Sequence, residues 1–531
     1  MNKKLITSAA LLAIFSIAMT GCGKRDGGEL KLRNLYFSSW EGDDPYTKVI
    51  EEKFNVKITP SSYDYTTGGS QVVNTVNAMQ IGDVFHFDLE SFNFGNTYLE
   101  WAEGGIIKAL PDNMSKWPKI KAMIDATTNI DYLKIDGKLY GVPLAYNIAD
   151  SSKDFSSFTY LYRRDWVKAL DAANVGQPGY PLLRDNDVYT WQEFLKIIDE
   201  FGKIPEVVAQ DWCAIGDVSW GFPSLTNFFK NSPHCYSVKD DGSVENTFTS
   251  AAYIQGLETT RDLIDRKLYF GQKTHTKDTK AYDAFKGGQM GIYYENLSLG
   301  NYTTLRTDIK DIVVGISESE LNDRTAIMKV KGPDGKFHLE GSENWYSMTF
   351  FNNDMSNEKQ EIILDIMEYL LSEEGTKLAI YGKENVDYVM VDGEPDLIPD
   401  SWAKKANGEY AAKVNGAKYL RQMATLNYDT TNIDPFTDEK SYQISTSWTN
   451  EMKAAKAAGN LVTFQEPPHI KWLSTTLKDR NTSGLINLGN DNAMNYCYRV
   501  ADFQSNEEYI AQFQTANWVN TINEVNQALG H

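Results

Sequence analysis

The stretch that most constrains this chain spans residues 136–166 and reads DGKLYGVPLAYNIADSSKDFSSFTYLYRRDW. It has the form of a chain leaving one folded unit and entering another. Asp136 and Gly137 make a tight turn, and Leu139, Tyr140, Gly141 and Val142 form a short apolar run. Pro143 stops that run; it cannot donate to a sheet ladder and so marks a strand edge or exit. A polar loop follows. Residues 158–161 are then aromatic and β-prone, and Arg163, Arg164 and Asp165 lead into a helix with Trp166, Val167 and Leu170 on one face. This strand, loop, strand and helix sit inside 531 residues, more than one hydrophobic core usually serves, so two large lobes are expected.

Several short motifs, in this order, resemble the extracellular solute-binding proteins (family 1 type) of bacterial ABC carbohydrate importers, in the long lipoprotein form of Gram-positive bacteria. They are the DGKLYGVP turn at 136–143, the strand ending in Tyr162, Arg163, Arg164, Asp165 and Trp166, and the helix start at Thr190, Trp191, Glu193 and Phe194. Phe285, Gly288, Gln289, Met290 and Gly291 add a helix end and buried strand of the same family. The helix at 359–371, closed by Glu374 and Gly375 and followed by Tyr381, Gly382 and the VDY at 386–388, adds another signature. Lys383, Glu384 and Asn385 depart from it, standing where relatives usually show Glu-Gly.

The resemblance implies an α/β, two-lobed, periplasmic-binding-protein-like fold of type II, hinged, with a ligand cleft between the lobes. On that basis residues 30–145 and 313–400 form the first lobe and 146–312 and 401–531 the second. The hinges are then expected near 140–146 and 313–317. It also implies a binding protein without enzymatic activity or cofactor, a monomer working with the transmembrane subunits of an ABC permease.

At the N-terminus, Lys3 and Lys4 precede an apolar stretch at 5–19 that is too short to span a bilayer and reads as a secretion signal, residues 1–21. Met19, Thr20, Gly21 and Cys22 resemble the bacterial lipobox, with Cys22 lipidated and 22–29 a polar tether; the alternative is a plain signal peptide. Two acyl chains on one thioether-linked glycerol anchor stably. The expected place is the extracellular face of the cytoplasmic membrane.

Removing residues 1–21 takes two lysines and no acid, moving the net charge from −20 to −22, which disfavours nucleic acid as a partner. Cys213 and Cys235 could pair outside the cell or stay reduced with Cys497. No Cys and His spacing suits a metal. Some relatives carry a calcium loop near Asp185 and Asp187, but the central Gly that such a loop needs is missing, and a solvated loop is the safer reading.

The strand at 30–37, the helix at 46–54 and the strand at 56–58 make a βαβ opening, followed by a helix at 71–80, a buried strand at 82–87 and a helix at 98–104. Ligands of open parallel sheets collect at strand carboxyl ends, which places Trp40, Asp43, Tyr63, Asp64, Asp88 and Phe92 near a site. Trp40 suits packing equally well. At the crossing, Tyr146 and Asn147 join them. In the second lobe, residues 211–229 gather Asp217, Trp220 and Phe222 among turn residues. In relatives, the strand carrying Tyr294 and Glu295 runs out as a sugar-stacking edge of the cleft. Asn344 and Trp345 start a returning strand, and Trp402 and Trp448 lie near loops, whereas Trp518 in a helix at 509–529 reads as core.

The chain has 12 Trp, 30 Tyr and 24 Phe, many beside Asp, Asn or Ser, and most of these fill cores. Those in irregular stretches offer flat faces to pyranose C–H groups beside acceptors for hydroxyls, which favours a neutral oligosaccharide as ligand. A secreted glycoside hydrolase would need two carboxylates about 5 to 10 Å apart, and no strand-end motif supplies them. A peptide-binding or protein-interaction module would show more backbone-pairing edges.

Overall fold

A computed structural model of the chain describes residues 28–34, 40, 42–62, 76, 82–88, 94–128, 130–145, 154–208, 213–217, 224–229, 236–239, 241–270, 279–341, 344–401, 415–424, 438–464 and 482–531. In chain order its strands are β1 (Gly28–Asn34), β2 (Val56–Ser62), β3 (Val84–Asp88), β4 (Val142–Ala145), β5 (Phe158–Tyr162) and β6 (Val188–Tyr189). They continue with β7 (Ile215–Asp217), β8 (Tyr236–Val238), β9 (Val244–Asn246), β10 (Tyr269–Phe270), β11 (Ile292–Asn296) and β12 (Ala326–Val330). The last are β13 (Phe337–Glu340), β14 (Trp345–Phe351), β15 (Tyr388–Val391), β16 (Glu394–Leu397) and β17 (Leu461–Phe464). Two large sheets organise the molecule, one in the order β2-β1-β3-β14-β4 and one in the order β10-β7-β11-β5-β12-β6.

The first sheet begins with the expected βαβ unit. Its helix, Pro45–Phe54, starts where Asp44 accepts the backbone N–H groups of Tyr46 and Thr47, with Pro45 at the position where a missing N–H costs nothing. β1 and β2 run parallel from Gly28↔Val56 to Asn34↔Ser62, and β3 joins β1 in parallel. Leu30, Leu32, Val84 and Phe85 point into a core completed by Trp101, Phe350, Ile363 and Met367. Pro143 does not end a strand. It sits inside β4, opposite Met348, and is tolerated because β4 is the sheet's edge and pairs only with β14.

The second sheet has a core on each face. Tyr160, Tyr162, Phe194, Ile198, Ile215 and Tyr294 fill one, while Leu161, Phe285, Tyr293, Leu305 and Trp448 fill the other. The helix Trp191–Phe201 is fixed at its start by the expected capping box of Thr190 and Glu193. A third body of helices, with the β8–β9 pair, buries Tyr253, Tyr509, Phe513 and Trp518. The expected helix at 509–529 is two helices here, Asn506–Ala511 and Ala516–Leu529.

The division of the chain between the sheets differs from the sequence reading in two places. Residues 313–330 were expected in the first lobe, but β12 pairs with β5 and β6 in the second sheet, so the return does not fall at 313–317. It falls between Gly341, which belongs with β13, and Asn344, ahead of β14. Residues 415–424 were expected in the second lobe, but Ala417, Leu420, Met423 and Ala424 belong to the first core. The chain then reaches the second lobe again with the helix Glu439–Ala457, whose Trp448 and Met452 lie in that lobe's core. Among the described residues, the chain changes lobe between Ala145 and Phe155, between Gly341 and Asn344, and between Ala424 and Asp438. No described helix is long and apolar enough to cross a membrane.

Candidate functional site

In open α/β sheets, ligands bind in the crevice outside the carboxyl ends of the parallel strands, where the strand order reverses. In the first sheet this edge holds Asn34, Ser62 and Asp88, the ends of β1, β2 and β3. β14 runs antiparallel to β3 with Ser347 opposite Asp88, and β4 is antiparallel to β14 with Ala145 opposite Trp345. The chain therefore leaves and re-enters the first sheet at its carboxyl edge. In the second sheet β7 and β11 are parallel and end at Asp217 and Asn296, with Phe158 of β5 directly opposite Asn296. The crossing chain enters there. The return departs from the same side, where Ser156 N–H donates to the Glu340 carbonyl at 2.8 Å and Phe155 bridges Gly341. Both carboxyl edges thus face the connections between the lobes.

On the second-lobe edge the described side chains form one aromatic and polar cluster. Phe158 stacks on Tyr294 with ring centroids 5.7 Å apart, and Tyr160 stacks on Phe228 at 5.9 Å. The Tyr294 hydroxyl accepts from Asn227 Nδ2 at 2.7 Å. Asp217 accepts both the backbone N–H of Ser224, at 3.0 Å, and the Ser224 hydroxyl, which in turn accepts from Tyr160 at 2.8 Å. Burial pushes the Asp217 carboxyl up to about 7, against the lowering effect of Ser224. Phe158, Ser224 and Asn227 were not singled out from sequence, although the position of Phe158 at a strand end opposite Asn296 is the kind of signal that marks such a residue.

Several expected ligand residues are structural instead. Trp40 is 4% exposed; its indole N–H donates to Asp44 and Thr47, and its ring stacks on Tyr419. Asp43 is exposed and pairs with Lys48 at 2.8 Å, while Asp44 caps the helix. Asn344 accepts from the Thr128 N–H and donates to the Ala126 carbonyl, so its amide is spent closing a helix end, and Trp345 is buried beside it. Trp448 is buried edge-on against Phe155. Glu295 lies on the opposite face of β11 from Tyr294, because side chains alternate along a strand. It accepts from the Tyr293 hydroxyl and the Asn296 N–H, and burial raises its carboxyl.

Tyr63, Asp64, Phe92, Tyr146, Asn147, Trp220, Phe222, Trp402 and Cys22 lie outside the described residues, as does Cys235. Asp88 is placed by its backbone alone, at the carboxyl edge. Cys497 is buried, and its thiol is raised by that burial.

The turn at 185–187 holds no described cluster of acids and histidines suited to a metal. Asp187 accepts from Arg164 Nη1 at 2.8 Å and from the Tyr162 hydroxyl, and Glu193 accepts from Arg184 Nε at 2.6 Å. Asp185 is left exposed.

The family model for bacterial extracellular solute-binding proteins matches residues 45–386. No curated protein matches the sequence. Among solved structures, the alginate-binding protein AlgQ2 without calcium ion superposes with a TM-score of 0.65 at 14% identity, over 95% of this chain and 98% of that one. The substrate-binding protein FusA of the S. pneumoniae ABC transporter, in complex with kestose, gives 0.62 at 13% identity, over 94% and 98%. The HMO-binding, ABC-transporter-associated solute-binding protein of Bifidobacterium longum infantis gives 0.60 at 14%, over 94% and 98%. At such identities the likeness establishes a shared two-lobed fold.

Proposed function

This chain belongs to the family of bacterial extracellular solute-binding proteins, and on that premise we propose that it captures a neutral oligosaccharide between its lobes and delivers it to an ABC permease. In this reading it works as a monomer, without cofactor or catalysis, held to the outer face of the cytoplasmic membrane by lipid on Cys22.

The observation that carries the reading is Phe158, half-buried at the carboxyl edge of the second sheet, whose ring is held by the buried Tyr294 ring at 5.7 Å, with Asn227 and Asp217 fixing that support from behind. A partly exposed aromatic ring at such an edge is a flat apolar surface for the C–H face of a pyranose. The described hydrogen bonds of this cluster involve no lysine or arginine, and a uronate buried here would lack the cation that offsets its desolvation. The neighbours described as binding alginate or carrying kestose support saccharide as the ligand class. Trp220, Phe222, Tyr63, Asp64, Phe92, Asp88, Tyr146, Asn147 and Trp402 remain candidates for the rest of the site. Hydrolysis is not favoured, since the carboxylate at this edge, Asp217, is engaged by Ser224.

The test is incubation of the protein with mixed neutral oligosaccharides. Depletion of one class without cleavage is the expected result. New reducing ends would make it a hydrolase, and no depletion would favour an interaction module.

A further inference from the structure

Asp217 was expected to touch the ligand, yet its geometry serves another end. Both of its oxygens are used on one residue, Oδ2 on the Ser224 N–H at 3.0 Å and Oδ1 on the Ser224 hydroxyl. Ser224 opens the turn Ser224–Phe228, every residue of which is buried. That turn carries Asn227, whose amide holds the Tyr294 hydroxyl, and Phe228, which stacks on Tyr160. Tyr160 closes the circuit by donating to Ser224 Oγ. The clasp at Asp217 therefore ties the end of β7 to the turn, and the turn to the ring that meets Phe158.

We propose that Asp217 is the positioning residue of the second-lobe half of the cleft, seating the 224–228 turn so that Asn227 fixes the Tyr294–Phe158 stack, rather than itself binding sugar. The proposal rests on the carbohydrate reading of that same edge. Ionised, Asp217 offers full acceptor strength to both Ser224 donors, and charge-assisted hydrogen bonds are roughly twice as strong as neutral ones. Protonated, it gives up one acceptor. The groups on its own face of the sheet among the described residues are the phenols of Tyr160 and Tyr294, with the Tyr293 phenol on the opposite face, all kept neutral by burial. From β13, Glu340 acts on Tyr294, and the His338 ring meets Phe228 at 6.4 Å. Only the part of a pH profile that disappears in Asp217→Asn is assigned to Asp217.

The experiment compares wild type with Asp217→Ala, Asp217→Asn and Asn227→Ala. Affinity is measured for the neutral oligosaccharide that most raises the wild-type melting temperature, between about pH 5 and 9, together with ligand-free deuterium uptake of residues 224–229. Asp217→Ala and Asn227→Ala should each weaken binding about tenfold, and Asp217→Ala should speed uptake at 224–229. Asp217→Asn, which keeps an acceptor but no charge, should recover to within about threefold of wild type. Wild-type affinity should fall as pH drops through about 7, and Asp217→Asn should lack that component. Two results overturn the proposal. One is wild-type uptake at 224–229 in Asp217→Ala. The other is Asp217→Asn as weak as Asp217→Ala at every pH with wild-type uptake, which makes the carboxylate a direct ligand contact. If no oligosaccharide binds, the carbohydrate reading fails, and the uptake measurement still decides the clasp.

Discussion

The indole N–H of Trp345 donates to the carbonyl of Thr128 at 2.9 Å, fastening the first residue of β14 to the end of the helix Pro118–Ala126. Asn344 reinforces the same junction through the Thr128 N–H and the Ala126 carbonyl. The chain re-enters the first lobe here, so this fastening fixes where the return begins.

Trp345→Ala should therefore act on stability. Truncating a buried Trp costs about 3 to 5 kcal/mol through lost burial and the cavity left behind. The melting temperature should fall by several degrees while affinity per folded molecule changes less than about threefold. A melt beside a calorimetric titration checks it; a large loss of affinity with an unchanged melt would return Trp345 to the cleft.

Gly416 lets the helix Gly416–Gln422 lie against the first lobe. A Cβ there would stand 2.0 Å from Thr47 Oγ1 and 2.4 Å from Trp40 Nε1, closer than any real contact. Gly416→Ala should destabilise by about 1 to 3 kcal/mol through overpacking, despite the better helix propensity of Ala. Denaturant unfolding would measure it, and a stabilised variant would mean the helix is not seated on Trp40.

The pH dependence of stability contains a part due to Asp217. Its folded value of about 7 lies above the ordinary carboxylate value, so the folded state binds the proton more tightly than the unfolded one. The stabilisation from protonation is full below about pH 4 and lost as pH rises through 7. Asp217→Asn should thus melt higher than wild type at pH 8, by an amount that shrinks toward pH 5. A gap of the opposite sign at pH 8 would show that the carboxylate is stabilised in place.

Chelation should leave the melting temperature within about 1 °C of its value in calcium, because Arg164 and Tyr162 already occupy Asp187 and Arg184 occupies Glu193. A rise of several degrees on adding calcium would place a metal on this turn.

Much of the architecture was legible in the sequence because it is local. The capping box at Thr190, the helix Pro45–Phe54 and the start of β14 at Trp345 follow from periodicity and caps. What failed is long-range. Nothing in the sequence of residues 326–330 shows which sheet they join, and residues 415–424 carry no signal of the core they enter. At the site, the pairing of Tyr294 with Glu295 overlooked the alternation of a strand, which puts them on opposite faces. For Trp40, ligand contact and packing stood equal beside an acidic turn; Asp44 and Pro45 mark a helix start, and its cap draws the indole inward.

The most direct test of the account is calorimetric titration with a panel of neutral oligosaccharides, with scattering at saturation and chromatography of the recovered glycan. The account predicts that at least one binds, that the radius of gyration falls as the lobes close, that affinity hardly changes with salt, and that the glycan is recovered uncut. Absence of binding across the panel, or glycan recovered with new reducing ends, would contradict it.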